Sequence, residues 1–240
     1  MKKLPIVVLH GWGLSSERFQ PLVRELNKAG YAVYAPNLPG FGDSRMPSRA
    51  LNLQDYVEFL HTYLGDKRIK QPVLIGHSFG GRVSLKYEYM YPKSARALIL
   101  TGVPGFTPVA RKKLILFIAM AKLGKVIFSL RLLRGLKDKA QEWYYYLVGA
   151  KEYYRAKGAM RETFKNVVRE DLLPYMKSVR TPCLLAWGES DIITPVSIAY
   201  RMKEVIKNAQ LRVVSGVDHG LPYKHPELFV TTIKPFLETL

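Results

Sequence analysis

The chain has 240 residues and 48% apolar content, enough to bury a substantial core, and no stretch has the polar composition of a disordered segment. Its 37 Lys and Arg outnumber 19 Asp and Glu for a formal net charge of +18, and a single cysteine, Cys183, excludes an intrachain disulfide framework and fits a reducing compartment. No run reaches the ~18–20 apolar residues of a membrane span, and no zinc spacing, phosphate-binding loop or RNA-binding signature accompanies the charge, so stable membrane insertion, a metal and nucleic acid are not expected.

The first residues, Met1-Lys2-Lys3-Leu4-Pro5, superficially resemble a signal peptide. The apolar part that follows is short and lacks a small-residue cleavage site, so it reads as a first strand over residues 6–10 of a cytoplasmic protein. That strand ends in His10-Gly11-Trp12-Gly13. Ser15 or Ser16 could cap a helix over 17–29, with Phe19, Leu22, Val23 and Leu26 at helical spacing and Gly30 as its stop. A second strand covers 31–35, followed by the turn-rich loop Asn37-Leu38-Pro39-Gly40-Phe41-Gly42-Asp43-Ser44. Asn52 and Asp55 form a capping pair for a helix to about Leu64. A third strand, 73–77, runs into Gly76-His77-Ser78-Phe79-Gly80-Gly81 and then a helix over 82–90. Residues 96–101 form a fourth strand.

Strands that are continuous apolar runs, alternating with helices, predict an α/β fold with a mostly parallel sheet covered on both faces. The alternation breaks at Gly105. From there to Val179 only helical spacing is evident, over 114–120, 126–133, 143–148 and 164–175. An insertion of this length is expected to be functional. Residues 105–180 carry 17 Lys/Arg against 6 Asp/Glu, a net +11, which suits an anionic substrate or an acidic partner. Alternation resumes with a fifth strand at 181–187 holding Cys183 as a buried structural thiol. Thr194 is the expected N-cap of a helix opening at Pro195 and running to about Lys207. A sixth strand covers 210–214, and a final helix begins near Pro226.

A Ser between glycines on a strand-to-helix turn is the nucleophile-elbow pattern. A Cβ at Gly76 or Gly80 would clash in so tight a turn, and Gly81 lets the helix pack near the strand. A Ser hydroxyl is a poor nucleophile without a general base, and that base needs an orienting carboxylate. The pattern goes with the chain order Ser, acid, His. Asp191 and Glu189, in Gly188-Glu189-Ser190-Asp191 after the fifth strand, are the candidate acids, and Asp191 is the better placed to point back over the sheet. His219, in Gly216-Val217-Asp218-His219-Gly220 after the sixth strand, is the candidate base. Asp218 is its sequence neighbour and so a poor orienter. His225 marks a helix start, His61 a surface position, and His10 and His77 are strand-end residues suited to ring packing or a loop hydrogen bond. Backbone N–H groups of Phe79 and Trp12 are the candidate oxyanion donors.

These motifs, in this order, resemble the α/β-hydrolase superfamily over nearly the whole chain. The resemblance implies the α/β-hydrolase fold, with a core formed by residues 1–104 and 180–240 and a helical cap or lid at 105–179. It implies a catalytic triad of Ser78, Asp191 and His219, an oxyanion hole at Trp12 and Phe79, and no cofactor or metal. Ser at position 78 is unlike the epoxide hydrolases and haloalkane dehalogenases, which place Asp there. Only five residues precede the first strand, so the N-terminal hairpin usual in the family is expected to be missing, leaving about six strands.

The motifs are less specific for substrate. A serine carboxylesterase acting on small to medium acyl esters is the leading expectation. Carbon–carbon hydrolysis or perhydrolysis on the same triad, or a hydrolase-fold binding protein, are the alternatives. The His-Gly-Trp-Gly and Pro-Gly-Phe-Gly stretches also look like those of esterases that demethylate pimeloyl groups on acyl carrier protein, and a basic cap would steer such an acidic carrier. Apolar stripes such as Leu114-Ile115-Leu116-Phe117-Ile118 are expected to line an acyl pocket or dock the cap.

Overall fold

The structure, a computed structural model, describes residues 4–106 and 156–240. The readings at 114–120, 126–133 and 143–148 therefore lie outside the described residues, as do the basic and aromatic stretches between them.

In chain order the elements are β1 (Pro5–Leu9), a 3₁₀ turn (Ser16–Phe19), α1 (Gln20–Lys28), β2 (Ala32–Tyr34), α2 (Leu53–Asp66), β3 (Val73–His77), α3 (Phe79–Met90) and β4 (Ala97–Thr101). After residues 107–155 come α4 (Gly158–Arg169), α5 (Leu173–Ser178), β5 (Cys183–Gly188), α6 (Val196–Val205), β6 (Ala209–Val214), α7 (Leu221–Lys224) and α8 (Pro226–Leu237). The strands form a six-stranded sheet in the order β2-β1-β3-β4-β5-β6. Every neighbouring pair is parallel. This is the α/β-hydrolase architecture, with no antiparallel hairpin among the described residues.

The sheet is buried on both faces because its strands alternate two apolar sets. Val7, Leu9, Leu74, Leu98, Leu100, Leu185 and Trp187 face the layer of α2, α3 and α6. Ile6, Val8, Val73, Ile75, Ile99, Leu184 and Ala186 face the layer of α1 and α8, where they meet Leu22, Leu26, Phe229 and Ile233. Each fully buried side chain of this size contributes roughly 1.5–3 kcal/mol. Cys183 lies in this core, and burial pushes its thiol up to about 12, as suits a structural role. The Asn52–Asp55 capping box on α2 forms in both directions.

Several sequence expectations shift. The expected 17–29 helix is a 3₁₀ turn followed by α1, because Pro21 fits best in the first helical turn. The helix after the elbow starts at Phe79, so the elbow itself forms its first turn. The 164–175 stretch is two helices, α4 and α5, joined by a turn in which the Asp171 carboxylate accepts from Leu173 N–H at 3.0 Å. The N-cap of α6 is Pro195 and not Thr194, for a reason that lies in the site.

Candidate active site

The carboxyl ends of β1, β3, β5 and β6 all open on one side of the sheet, and the chain reverses direction between β1 and β3, where open parallel sheets form a crevice. Ser78 stands at the end of β3 with φ 50° and ψ −108°, a backbone conformation that L residues rarely adopt. The glycines make this possible. A Cβ on Gly80 would stand 2.1 Å from the Leu9 carbonyl oxygen, and one on Gly76 would stand 2.6 Å from Gly81 Cα. The Ser78 hydroxyl makes no capping bond to α3, so the helix does not consume it.

The loop after β1 runs directly beside it, since a Cβ on Gly11 would come within 3.4 Å of Ser78 Cβ. His10 holds that loop. Its Nδ1 donates to the Gly11 carbonyl at 2.8 Å and its Nε2 accepts from Leu38 N–H at 3.0 Å, tying the loop to the Pro39-Gly40-Phe41 turn. Burial lowers the His10 pKa to about 4, so the ring is neutral, as an acceptor nitrogen requires. The Trp12 ring packs edge-on against Phe41, Phe79 and Phe164 at 4.9, 5.3 and 5.0 Å. Trp12 and Phe79 are thus chain neighbours of residues that meet at Ser78: Trp12 follows Gly11, and Phe79 follows Ser78 itself. Phe79 is the first residue of α3, where a backbone N–H has no partner within the helix.

Asp191 lies past β5 and is 4% exposed. Its Oδ2 is 2.7 Å from His219 Nδ1, on the loop after β6. The other oxygen, Oδ1, accepts from Ile193 N–H at 2.9 Å and Thr194 N–H at 2.8 Å. The alternative acid, Glu189, is exposed on the surface and is taken up by the Ser215 hydroxyl and Gly216 N–H, which hold its carboxyl below the usual range. Asp218 is bound to Lys224 and Gly220 N–H, away from the His219 ring. The His77 ring, one residue before Ser78, lies 4.7 Å from the His219 ring. Full burial, with His219 nearby, holds His77 well below the ordinary histidine pKa, so it adds no charge beside His219. His225 caps α8 and His61 stacks on Tyr91 at the surface.

The structure therefore brings Asp191 and His219 into contact and sets Ser78, Trp12 and Phe79 around the same strand ends. Among the described residues no group of three or more His, Cys, Asp or Glu side chains converges as a metal site would. Four contributors escaped the sequence reading. The Thr194 hydroxyl donates to Asp191 Oδ2 at 2.7 Å and lies 3.1 Å from His219 Nδ1. The spacing Asp-x-x-Thr was the available signal, but it reads equally as a helix start. Phe164 and Met160 of α4 pack against Trp12 and Gly40 respectively. Arg82, 3% exposed on α3, donates to the carbonyls of Val167, Glu170 and Pro104 and anchors the chain after α4.

Comparison with known proteins agrees with this fold. A curated relative, "AB hydrolase superfamily protein YisY" of Bacillus subtilis, is 26% identical over 97% of this chain and 91% of its own length. "Lipase 1" of Psychrobacter immobilis is 26% identical over 90% of this chain and 71% of its own. The crystal structure of a bromoperoxidase from Bacillus anthracis superposes with a TM-score of 0.76 at 21% identity, covering 99% of this chain and 92% of the other. A family model described as the alpha/beta hydrolase family matches residues 6–232.

Proposed function

The chain belongs to the alpha/beta hydrolase family, and from that premise we propose that it is a serine carboxylesterase that cleaves small to medium acyl esters through an acyl-enzyme. The observation that carries this reading is the 2.7 Å contact between His219 Nδ1 and Asp191 Oδ2, together with a Ser held at φ 50° at the end of β3. In this reading Ser78 Oγ attacks the ester carbonyl as His219 Nε2 takes its proton. Asp191 holds Nδ1–H and stabilises the imidazolium that forms. The Trp12 and Phe79 N–H groups receive the oxyanion, and each such donor is worth about 3–4 kcal/mol in the transition state. His219 returns the proton to the leaving alcohol, and water then repeats the sequence on the acyl-enzyme.

The name of the Psychrobacter immobilis lipase, at 26% identity, is consistent with ester chemistry. The aromatic wall of Trp12, Phe41 and Phe164 suits an apolar acyl group. Turnover of p-nitrophenyl acetate and butyrate by the wild type, lost in Ser78→Ala, is the test. Full activity in that variant ends the proposal.

A further inference from the structure

We propose that Thr194 is a positioning residue of the His219–Asp191 pair, whose hydroxyl fixes which nitrogen of the base carries the proton; this rests on the reading of Ser78 and His219 given above. A threonine hydroxyl has one hydrogen and two lone pairs, and an ionised carboxylate only accepts. The single Thr194 hydrogen goes to Asp191 Oδ2 at 2.7 Å. Toward His219 Nδ1, 3.1 Å away, the hydroxyl then presents only a lone pair. Nδ1 therefore faces two acceptors, Asp191 Oδ2 at 2.7 Å and Thr194 Oγ1 at 3.1 Å. Only the tautomer protonated on Nδ1 satisfies both, and it leaves Nε2 bare for the Ser78 proton.

The backbone that carries the hydroxyl is held on two sides. The Thr194 N–H is bound to Asp191 Oδ1 at 2.8 Å, and its carbonyl accepts from Trp187 Nε1–H at 2.7 Å. The residue is 3% exposed, so water does not compete for the hydroxyl. Among the described residues its hydroxyl is not used to cap α6, which is capped by Pro195 without any side-chain bond. The same arrangement gives each Asp191 oxygen two donors, which stops the carboxylate from rotating away from His219.

The test compares Thr194→Val, which keeps shape and loses the hydroxyl, with Thr194→Ser, which keeps the hydroxyl. Three quantities are read: kcat and KM on p-nitrophenyl butyrate, the rate of labelling by a fluorophosphonate, and imidazole 15N shifts. In labelling, the Ser78 Oγ–P bond forms as P–F breaks, fluoride leaves and the hydroxyl proton passes to His219. Thr194→Val is expected to lower kcat and the labelling rate about tenfold, the scale of one ordinary hydrogen bond, with KM within about twofold of wild type. Thr194→Ser is expected to restore both. In the 15N spectrum the wild type and Thr194→Ser carry the His219 proton on Nδ1, and Thr194→Val shows a share on Nε2. Wild-type kcat and tautomer in a folded Thr194→Val, or an equal loss in Thr194→Ser, overturns the proposal. If the wild type neither turns over esters nor labels, the tautomer shift in Thr194→Val would still uphold the role of Thr194 and would remove the esterase reading instead.

Discussion

Gly102 and His219 touch so closely that no side chain fits between them. A Cβ on Gly102 would stand 2.6 Å from His219 Cε1 and 2.8 Å from its Nδ1, and Gly102 itself has φ 60°. The floor under the candidate base is therefore bare backbone at the end of β4. Gly102→Ala is expected to push the ring off Asp191 and lower kcat at least tenfold. The positive φ adds about 1 kcal/mol of destabilisation. Ester turnover beside a thermal melt checks this, and a fully active Gly102→Ala would show that the ring has room to spare.

Ser78 stores backbone strain that the proposed chemistry would use and the fold does not need. Ser78→Gly relieves φ 50°, whereas Ser78→Ala keeps it. Both should be inactive, but Ser78→Gly should be about 1 kcal/mol more stable than Ser78→Ala by urea unfolding. Equal stabilities would mean that the neighbours hold the turn without strain.

Acid should unfold the protein through His10. Burial holds its folded pKa at about 4, below the ordinary 6.5. The stability gained by keeping the ring neutral is complete above 6.5 and is lost as the pH falls from there toward 4. The full effect is on the order of 3 kcal/mol. His77, also depressed by burial, acts in the same direction. Urea midpoints between pH 7 and 4 read the slope, and His10→Gln should flatten it while lowering stability at pH 7. An unchanged slope in that variant would place the acid sensitivity elsewhere.

Arg82 ties α3 to the segment that follows α4. Burial lowers its pKa to about 10, and its three carbonyl partners are left unpaired in Arg82→Met. The expected loss is about 2–4 kcal/mol, with faster proteolysis at residues 165–172. Native-like protease resistance there would show that Lys86–Glu170 and Tyr175–Glu170 hold the segment alone.

The sheet was legible in the sequence because its strands are unbroken apolar runs, and the elbow because glycines at fixed spacing have a steric cause. The Asp191–His219 contact followed from motif order. Thr194 was hidden because a Thr before a Pro looks the same whether it caps a helix or serves the preceding carboxylate. Only the burial of its hydroxyl against Asp191 separates the two. Arg82 was hidden for a related reason: helical spacing marks it as an inward position, but its partners are backbone carbonyls more than twenty residues away, which no local pattern records.

The strand order places Ser78 and His219, the proposed nucleophile and base, on opposite sides of β4 and β5, on loops that follow β3 and β6. A chain that has paired only β1 to β4 already holds Ser78, Trp12 and Phe79 but has neither acid nor base in place. Hydrolytic competence would then switch on with the last pairing, when β6 docks on β5 and carries His219 to Asp191. On the proposed function a half-folded molecule would be chemically silent, and the rate at which activity returns during refolding would time the closure of that final edge.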